Sequence, residues 1–184
     1  MPGNIEIKAK ITNLSELTER AKAISEEHIP LQQCDTFFNA PTTGCRLKLR
    51  CEEKLLVGEK SACLVAYNRP DVTGPKFSHY VLSPVSDPAT MEEALTMSNG
   101  AIGKVEKKRD AFIVKRNGLT ARVHLDNVKG LGEFLEFEVI VENDSQLPEA
   151  NSIAEYLSTY FGISDEDRIP GAYWNLLQAK KTDN

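Results

Sequence analysis

Asn4-Ile5-Glu6-Ile7-Lys8-Ala9-Lys10-Ile11 alternates apolar residues at odd positions with polar or charged ones at even positions. A period of two is the signature of a β-strand with two unlike faces. One face carries Glu6, Lys8 and Lys10, a carboxylate beside two ammonium groups. On a lone strand such a face usually means only that it is wet. The pattern recurs, however. Arg46, Lys48 and Arg50 share a face of 45–51, opposite Leu47 and Leu49. Arg122, His124 and Asp126 share a face of 119–126, and Glu136 and Glu138 a face of 134–140. Lys107 and Arg109 lie on a long strand over 102–115.

The remaining elements follow from periodicity and punctuation. Asn13 and Glu16 have capping-box spacing, and Leu14, Leu17, Ala21 and Ile24 follow at helical intervals, which predicts a helix near 14–27 that ends before Pro30. Residues 31–39, 61–69 and 76–81 read as further strands, separated by turn signals at 41–44, Gly58 and 70–71. Pro88 opens a helix over about 88–98. A bend is expected inside 102–115, where the apolar pattern is untidy, and Asn117-Gly118 signals a tight hairpin. Helices over 148–161 and 172–178 close the chain. Eight strands joined by short connections predict an antiparallel sheet with enough strands to close into a barrel.

Composition bounds the function. At 184 residues the chain is most simply one domain over 1–184, long enough to bury a core. Its formal net charge of −5 argues against a general nucleic-acid binder, so an anion site must come from local clustering of bases. No apolar run has the length of a membrane span, and the N-terminus lacks a secretory apolar core. Cys34, Cys45, Cys51 and Cys63 form no C-x-x-C pair, so reduced packing thiols are expected rather than a zinc site. A soluble cytoplasmic protein, monomer or homodimer, is the expectation.

Pattern alone leaves two arrangements open. The charged face can meet water, as in most two-faced sheets. Alternatively the sheet closes with that face inward. Like charges at i and i+2 then repel across an enclosed space unless a polyanion such as a triphosphate takes bonds from Arg and Lys. The carboxylates would sit together and hold a hard divalent cation, Mg²⁺ or Mn²⁺.

These residues resemble the CYTH family, the triphosphate tunnel metalloenzymes, which includes class IV (CyaB-type) adenylyl cyclases, thiamine triphosphatases and inorganic triphosphatases. The family's first-strand motif E-x-E-x-K is similar to Asn4-Ile5-Glu6-Ile7-Lys8, with Asn4 in place of the first glutamate. Asp35-Thr36-Phe37-Phe38, the Gly44–Arg50 strand, Tyr67-Asn68-Arg69-Pro70-Asp71, Lys76-x-Ser78-x-Tyr80 and Val105-x-Lys107-x-Arg109 resemble the CyaB-type branch in order. So do His124-Leu125-Asp126 and the run from Gly130 to Glu138, and the likeness covers about residues 4–178.

The resemblance implies an α+β fold: an eight-stranded antiparallel closed tunnel with a polar interior, flanking helices and a triphosphate inside. It implies Glu6, Asp126, Glu136 and Glu138 at the metal, with Lys8 counted beside Glu6, Glu136 and Glu138 as catalytic. It places Lys8, Lys48, Arg50, Lys107, Arg109 and Arg122 on phosphates, with Lys10, Arg46, Arg69 and Lys76 as second-rank contacts. The Asn4 amide can ligate a hard cation but adds no charge, which implies weaker binding at a second metal position. His124 is expected to be structural. Tyr67 and Tyr80 could equally line the tunnel or pack. Tyr173 and Trp174 read as core contacts, and Glu52 and Glu53 as loop residues.

The leading expectation is metal-dependent hydrolysis of inorganic triphosphate, thiamine triphosphate or a nucleoside triphosphate. An adenylyl cyclase using the same tunnel is the runner-up, and a non-catalytic polyphosphate or nucleotide sensor is the third reading. No phosphate-cradling G-x-x-x-x-G-K loop is present to suggest another mode.

Overall fold

The computed structural model describes residues 3–182. Eight strands close into one antiparallel barrel: β1 (Gly3–Lys10), β2 (Glu27–Phe38), β3 (Cys45–Lys54), β4 (Glu59–Asn68), β5 (Lys76–Pro84), β6 (Ala101–Arg116), β7 (Leu119–Val128) and β8 (Gly132–Val141). Around the barrel the order is β1-β5-β4-β3-β2-β6-β7-β8, with β8 returning to β1. Four helices flank it: α1 (Leu14–Ile24), α2 (Pro88–Asn99), α3 (Leu147–Phe161) and α4 (Tyr173–Thr182). Among the described residues no helix is long and apolar enough to cross a membrane.

The apolar faces point outward, into a core between the barrel and its helices. Ile5, Ile7, Phe137 and Val139 pack with Ala150, Ile153, Leu157 and Phe161 of α3 and with Leu17 and Ala21 of α1. Leu49, Leu135 and Phe137 are buried on this outer side and line no part of the barrel's cavity. The interior takes the polar parity of each strand. Nine carboxylate, lysine or arginine side chains are buried among the described residues, a content that stays folded only when the charges are paired.

Several boundaries differ from the periodicity reading. Helix α1 stops at Ile24 rather than near residue 27, because the backbone N–H of Glu26 already pairs with the Ile113 carbonyl and β2 begins at Glu27. The Asn13 side chain caps no backbone N–H; its amide donates to Glu16 instead. Pro30 therefore lies within β2. It sits beyond the end of the β3 pairing, so the N–H that proline lacks has no ladder partner to lose on that side. Strand β3 runs on to Lys54, which puts Glu52 and Glu53 on a strand and not in a loop. The irregularity expected within β6 falls at its start, opposite Phe37 and Phe38. There Gly103 meets Trp174 so closely that an added Cβ would stand 1.9 Å from the indole ring. Asn117 and Gly118 both take positive φ, at 49° and 78°, as the β6–β7 hairpin turn requires.

Candidate active site

The strand register stacks the interior in rungs. Glu6 of β1 faces Glu138 of β8, which faces Arg122 of β7. One rung on, Lys8 faces Glu136, which faces His124. Across the barrel Asp35 of β2 stands between Arg50 of β3 and Val105 of β6, and Lys48 lies beside Phe37. These side chains enclose a cavity of about 470 Å³.

Its charges are arranged in pairs. Asp35 accepts from Arg50 Nε and Nη2, both at 2.7 Å, and from Lys48 at 2.8 Å. Burial alone would raise the Asp35 carboxyl, but Arg50 and then Lys48 outweigh it and hold it well below the usual range. Asp126 accepts from Lys107 at 3.0 Å, from Arg109 Nε and Nη2 at 2.6 and 2.7 Å, and from the Tyr173 hydroxyl at 2.8 Å. Three of those bonds fall on Oδ2 and one, from Arg109 Nε, on Oδ1. Glu136 takes Lys8 at 3.1 Å and Arg109 at 2.7 Å, and Glu6 pairs with Arg69. Glu138 is the least encumbered acid, with Arg122 at 3.7 Å.

Seven bases line the cavity (Lys8, Lys48, Arg50, Arg69, Lys107, Arg109 and Arg122) against five carboxylates, an excess of two positive charges. Burial, and then the neighbouring Arg109, bring Lys107 down to about 7. Burial followed by Arg50 lowers Lys48 as well. Burial and crowding thus disfavour part of the cavity's own positive charge, and a polyanion would restore it.

The two ends of the barrel are unlike. The C-terminal segment lies across one of them. Ile169 donates its N–H to the Lys8 carbonyl, and the Tyr173 ring stands 4.2 Å from Lys8 Nζ and 5.1 Å from Lys107 Nζ. The side chains of Lys8, Arg69 and Lys107 near this end are 3–5% exposed, against 42% for Arg122 at the other. That other end is the mouth. Ile29, Leu82, Ala111 and Ile113 line the cavity there.

Four expected residues stay out of the cavity, two of them, Asp126 and Lys76, beneath the C-terminal segment. Asp126 is sealed beneath Tyr173. Lys76 is buried at the same end, donating to the carbonyls of Val72 at 3.0 Å and Ile169 at 3.4 Å; burial, then Arg69, lowers it to about 8. Lys10 is exposed at the end of β1. Arg46 turns to Asp71, 2.5 Å away. The other expected residues, Glu6, Glu136 and Glu138 with the seven bases, share the cavity lining.

A CYTH-domain model matches residues 3–173. The chain belongs to the CYTH family. No curated protein matches it by sequence comparison. Its barrel is similar to that of protein PH1819 of Pyrococcus horikoshii OT3, with a TM-score of 0.79 at 20% identity over 96% of this chain and 99% of that one. It is also similar to a protein of Vibrio parahaemolyticus provisionally described as an adenylate cyclase, with a TM-score of 0.75 at 22% identity over 96% and 98%. HpAC1 of Hippeastrum, a provisionally assigned adenylyl cyclase described as having a dominant triphosphatase activity, has a TM-score of 0.61 at 14% identity over 94% and 91%. At these identities the likeness is one of fold.

The donor set of this CYTH domain suits a divalent cation. One atom each of His124, Glu136 and Glu138 lie within 4.8 Å of one another. The Glu6 carboxyl is raised by burial and then by repulsion from Glu136, a repulsion that a cation would relieve. The His124 ring is lowered by burial and then by Arg109, leaving the imidazole neutral at ordinary pH.

Sequence reasoning reads Glu52 as a loop residue and Cys63 as a packing thiol, and leaves Tyr67 and Tyr80 open between lining the tunnel and packing. Glu52 lines the cavity, and the Gln33 side chain donates to Glu52. Tyr67 and Tyr80 both line it, and burial pushes Tyr67 up to about 12. Cys63, expected as a packing thiol, is a wall residue. Tyr173 does pack on Phe134, but it also ties the C-terminal segment to Asp126. No periodicity signals that last contact, because it joins residues 47 apart.

Proposed function

We propose that this chain is a metal-dependent triphosphatase acting on an organic triphosphate. The observation that carries the reading is the excess of two positive charges inside a closed barrel whose chain is negative overall. A phosphate chain would run between Lys48 and Arg50 on one wall and Lys107 and Arg109 on the other. Asp35 and Asp126 hold those four bases in place beforehand, so little reorganisation is needed when charge builds on the phosphoryl group. Arg guanidiniums held by carboxylates can still offer their remaining N–H donors to phosphoryl oxygens. Glu136 and Glu138, with Glu6 beside them, are the residues that would hold Mg²⁺ or Mn²⁺. Such a cation supplies Lewis-acid polarisation of a phosphoryl oxygen.

In the reaction water adds to the terminal phosphorus, the bridging P–O bond breaks, and the remaining phosphate chain leaves. Lys8, Lys107 and Arg109 would neutralise the leaving oxygens. The apolar walls at Ile29, Leu82, Ala111 and Ile113 favour a substrate with an organic group at the mouth over bare inorganic triphosphate. The same walls keep a second chemistry in view, because in ATP seated there the ribose 3′-hydroxyl could attack the α-phosphorus, breaking the α–β bridge to give cyclic AMP and diphosphate.

The deciding assay incubates purified protein with Mg²⁺ or Mn²⁺ and, separately, ATP, thiamine triphosphate and inorganic triphosphate, and resolves the products. Orthophosphate from an organic triphosphate is expected. Cyclic AMP would move the assignment to a cyclase. Tight binding with no turnover of any of them would leave only the sensor reading.

A further inference from the structure

His124 holds a position in the cavity wall that hydrogen bonding does not explain. The residue is 4% exposed, and its Nδ1 is buried with no hydrogen-bond partner. That nitrogen stands 3.6 Å from Glu136 Oε2 and 3.8 Å from Glu138 Oε1. Both distances are too long for a hydrogen bond. They are the right length for atoms sharing a cation. Two ligands each about 2.1 Å from a metal lie about 3.0–4.2 Å apart for angles from a right angle to a straight line. Register keeps the three residues together, since His124 faces Glu136 directly across β7 and β8, and Glu138 follows two residues along the same face. Glu136 is further fixed by Lys8 and Arg109.

A second orphan lies in the same lining. Asn4 is 6% exposed, and its Oδ1 is buried and unpartnered. Where the first-strand motif would bring another carboxylate, this chain brings a neutral oxygen. The centre therefore carries less negative charge than an all-carboxylate site, and it gains a nitrogen donor. Mg²⁺ is held by oxygen ligands; imidazole suits the later first-row metals best, and Mn²⁺, though the weakest of that series, accepts a nitrogen ligand more readily than Mg²⁺ does.

We propose that His124, Glu136 and Glu138 form a mixed nitrogen–oxygen centre, with His124 Nδ1 as a direct ligand, that selects Mn²⁺ over Mg²⁺. The proposal rests on the reading of Glu136 and Glu138 as cation-binding acids, and its test separates the two ideas.

Mn²⁺ added to the full chain is followed by electron paramagnetic resonance, with Mg²⁺ as competitor. Pulsed spectra should show a directly bonded nitrogen, and the coupling should change in protein carrying ¹⁵N-labelled histidine. His28 and His79 do not line the cavity, so the label reports His124. His124→Ala should lose the coupling and weaken Mn²⁺ by about tenfold or more while changing Mg²⁺ by less than about threefold. The wild-type spectrum needs no variant, so a misfolded His124→Ala would not blunt the test. Mn²⁺ bound without nitrogen coupling, or equal losses for both metals in the variant, would overturn the histidine ligand and leave the carboxylate site standing. No Mn²⁺ bound at all would overturn both, while triphosphate binding measured on the same sample would still report on the basic walls.

Discussion

Glu138 is the acid with most freedom in the cavity, and Asp35 has the least. Glu138→Gln keeps the shape and removes the charge; metal-dependent turnover should fall by about a hundredfold or more with the melting temperature nearly unchanged. Full activity in that variant would refute its part in the site. Asp35→Asn has a different expected outcome, because it strands Lys48 and Arg50, whose side chains are 14% and 20% exposed. Removing one partner of such a pair costs about 3–5 kcal/mol. Added diphosphate should return much of it, which thermal melts with and without the anion will show. In the wild type, the depressed Asp35 carboxyl contributes stability that is fully present above the unfolded value near 4 and is lost as the pH falls below it. Acid melts of wild type and Asp35→Asn should therefore converge in that range. Lys107 has the opposite linkage. At about 7 in the folded barrel, it binds fewer protons than in the unfolded chain between there and the ordinary lysine value, so its contribution to stability rises with pH across that window. A bound polyanion favours the ammonium form. Binding above neutrality should therefore take up protons, measured as a buffer-dependent binding enthalpy, and Lys107→Met should diminish the uptake.

Helix α4 is held by apolar packing of Tyr173, Trp174, Leu176 and Leu177 against Phe37, Val105, Val128 and Phe134, by the close approach of Gly103 to Trp174, and by hydrogen bonds from Tyr173 to Asp126 and from Lys180 to the Gly130 carbonyl. Gly103→Ala pushes a methyl into the indole ring and should cost about 1–3 kcal/mol. Trp174 is the only tryptophan, so its fluorescence should shift with denaturant before the barrel's circular dichroism does. Simultaneous, unshifted transitions would show that α4 does not loosen separately. Contacts of this kind were not legible in the sequence. Alternation placed Ile5, Ile7, Phe137 and the charged residues between them on opposite faces, because period two is a local property of the backbone. It also located all eight strands. It could not place their ends, since β2 reaches back to Glu27 only because β6 is there to pair with it. It read Glu52 as loop because strand β3 is extended by β4, which binds as far as Lys54. Lys10, Arg46, Lys76 and Asp126 share the charged pattern, yet all lie at the end that the C-terminal segment covers. Which end that would be is a long-range fact. His124 stood on the right face by its spacing, but the distances from its Nδ1 to Glu136 and Glu138 depend on where those two side chains end.

At the scale of the whole molecule, charge is divided between inside and outside. The lining's excess of two positive charges leaves −7 on the rest of the chain, because the total is −5. A distant triphosphate meets a repelling field before it reaches the mouth, where attraction takes over at short range. Association in stopped flow should therefore speed up as salt is raised from low ionic strength at fixed free cation. A steep slowing would mean that bases at the rim, Arg122 first, steer the ligand from afar. The C-terminal segment adds a consequence for traffic. With Tyr173 laid over one end, the channel is a cul-de-sac, and whatever goes in first comes out last. Orthophosphate released at its far wall would queue behind the organic diphosphate still seated at the entrance, so on the proposed reading turnover is paced by departure, and accumulated organic diphosphate becomes the enzyme's own brake.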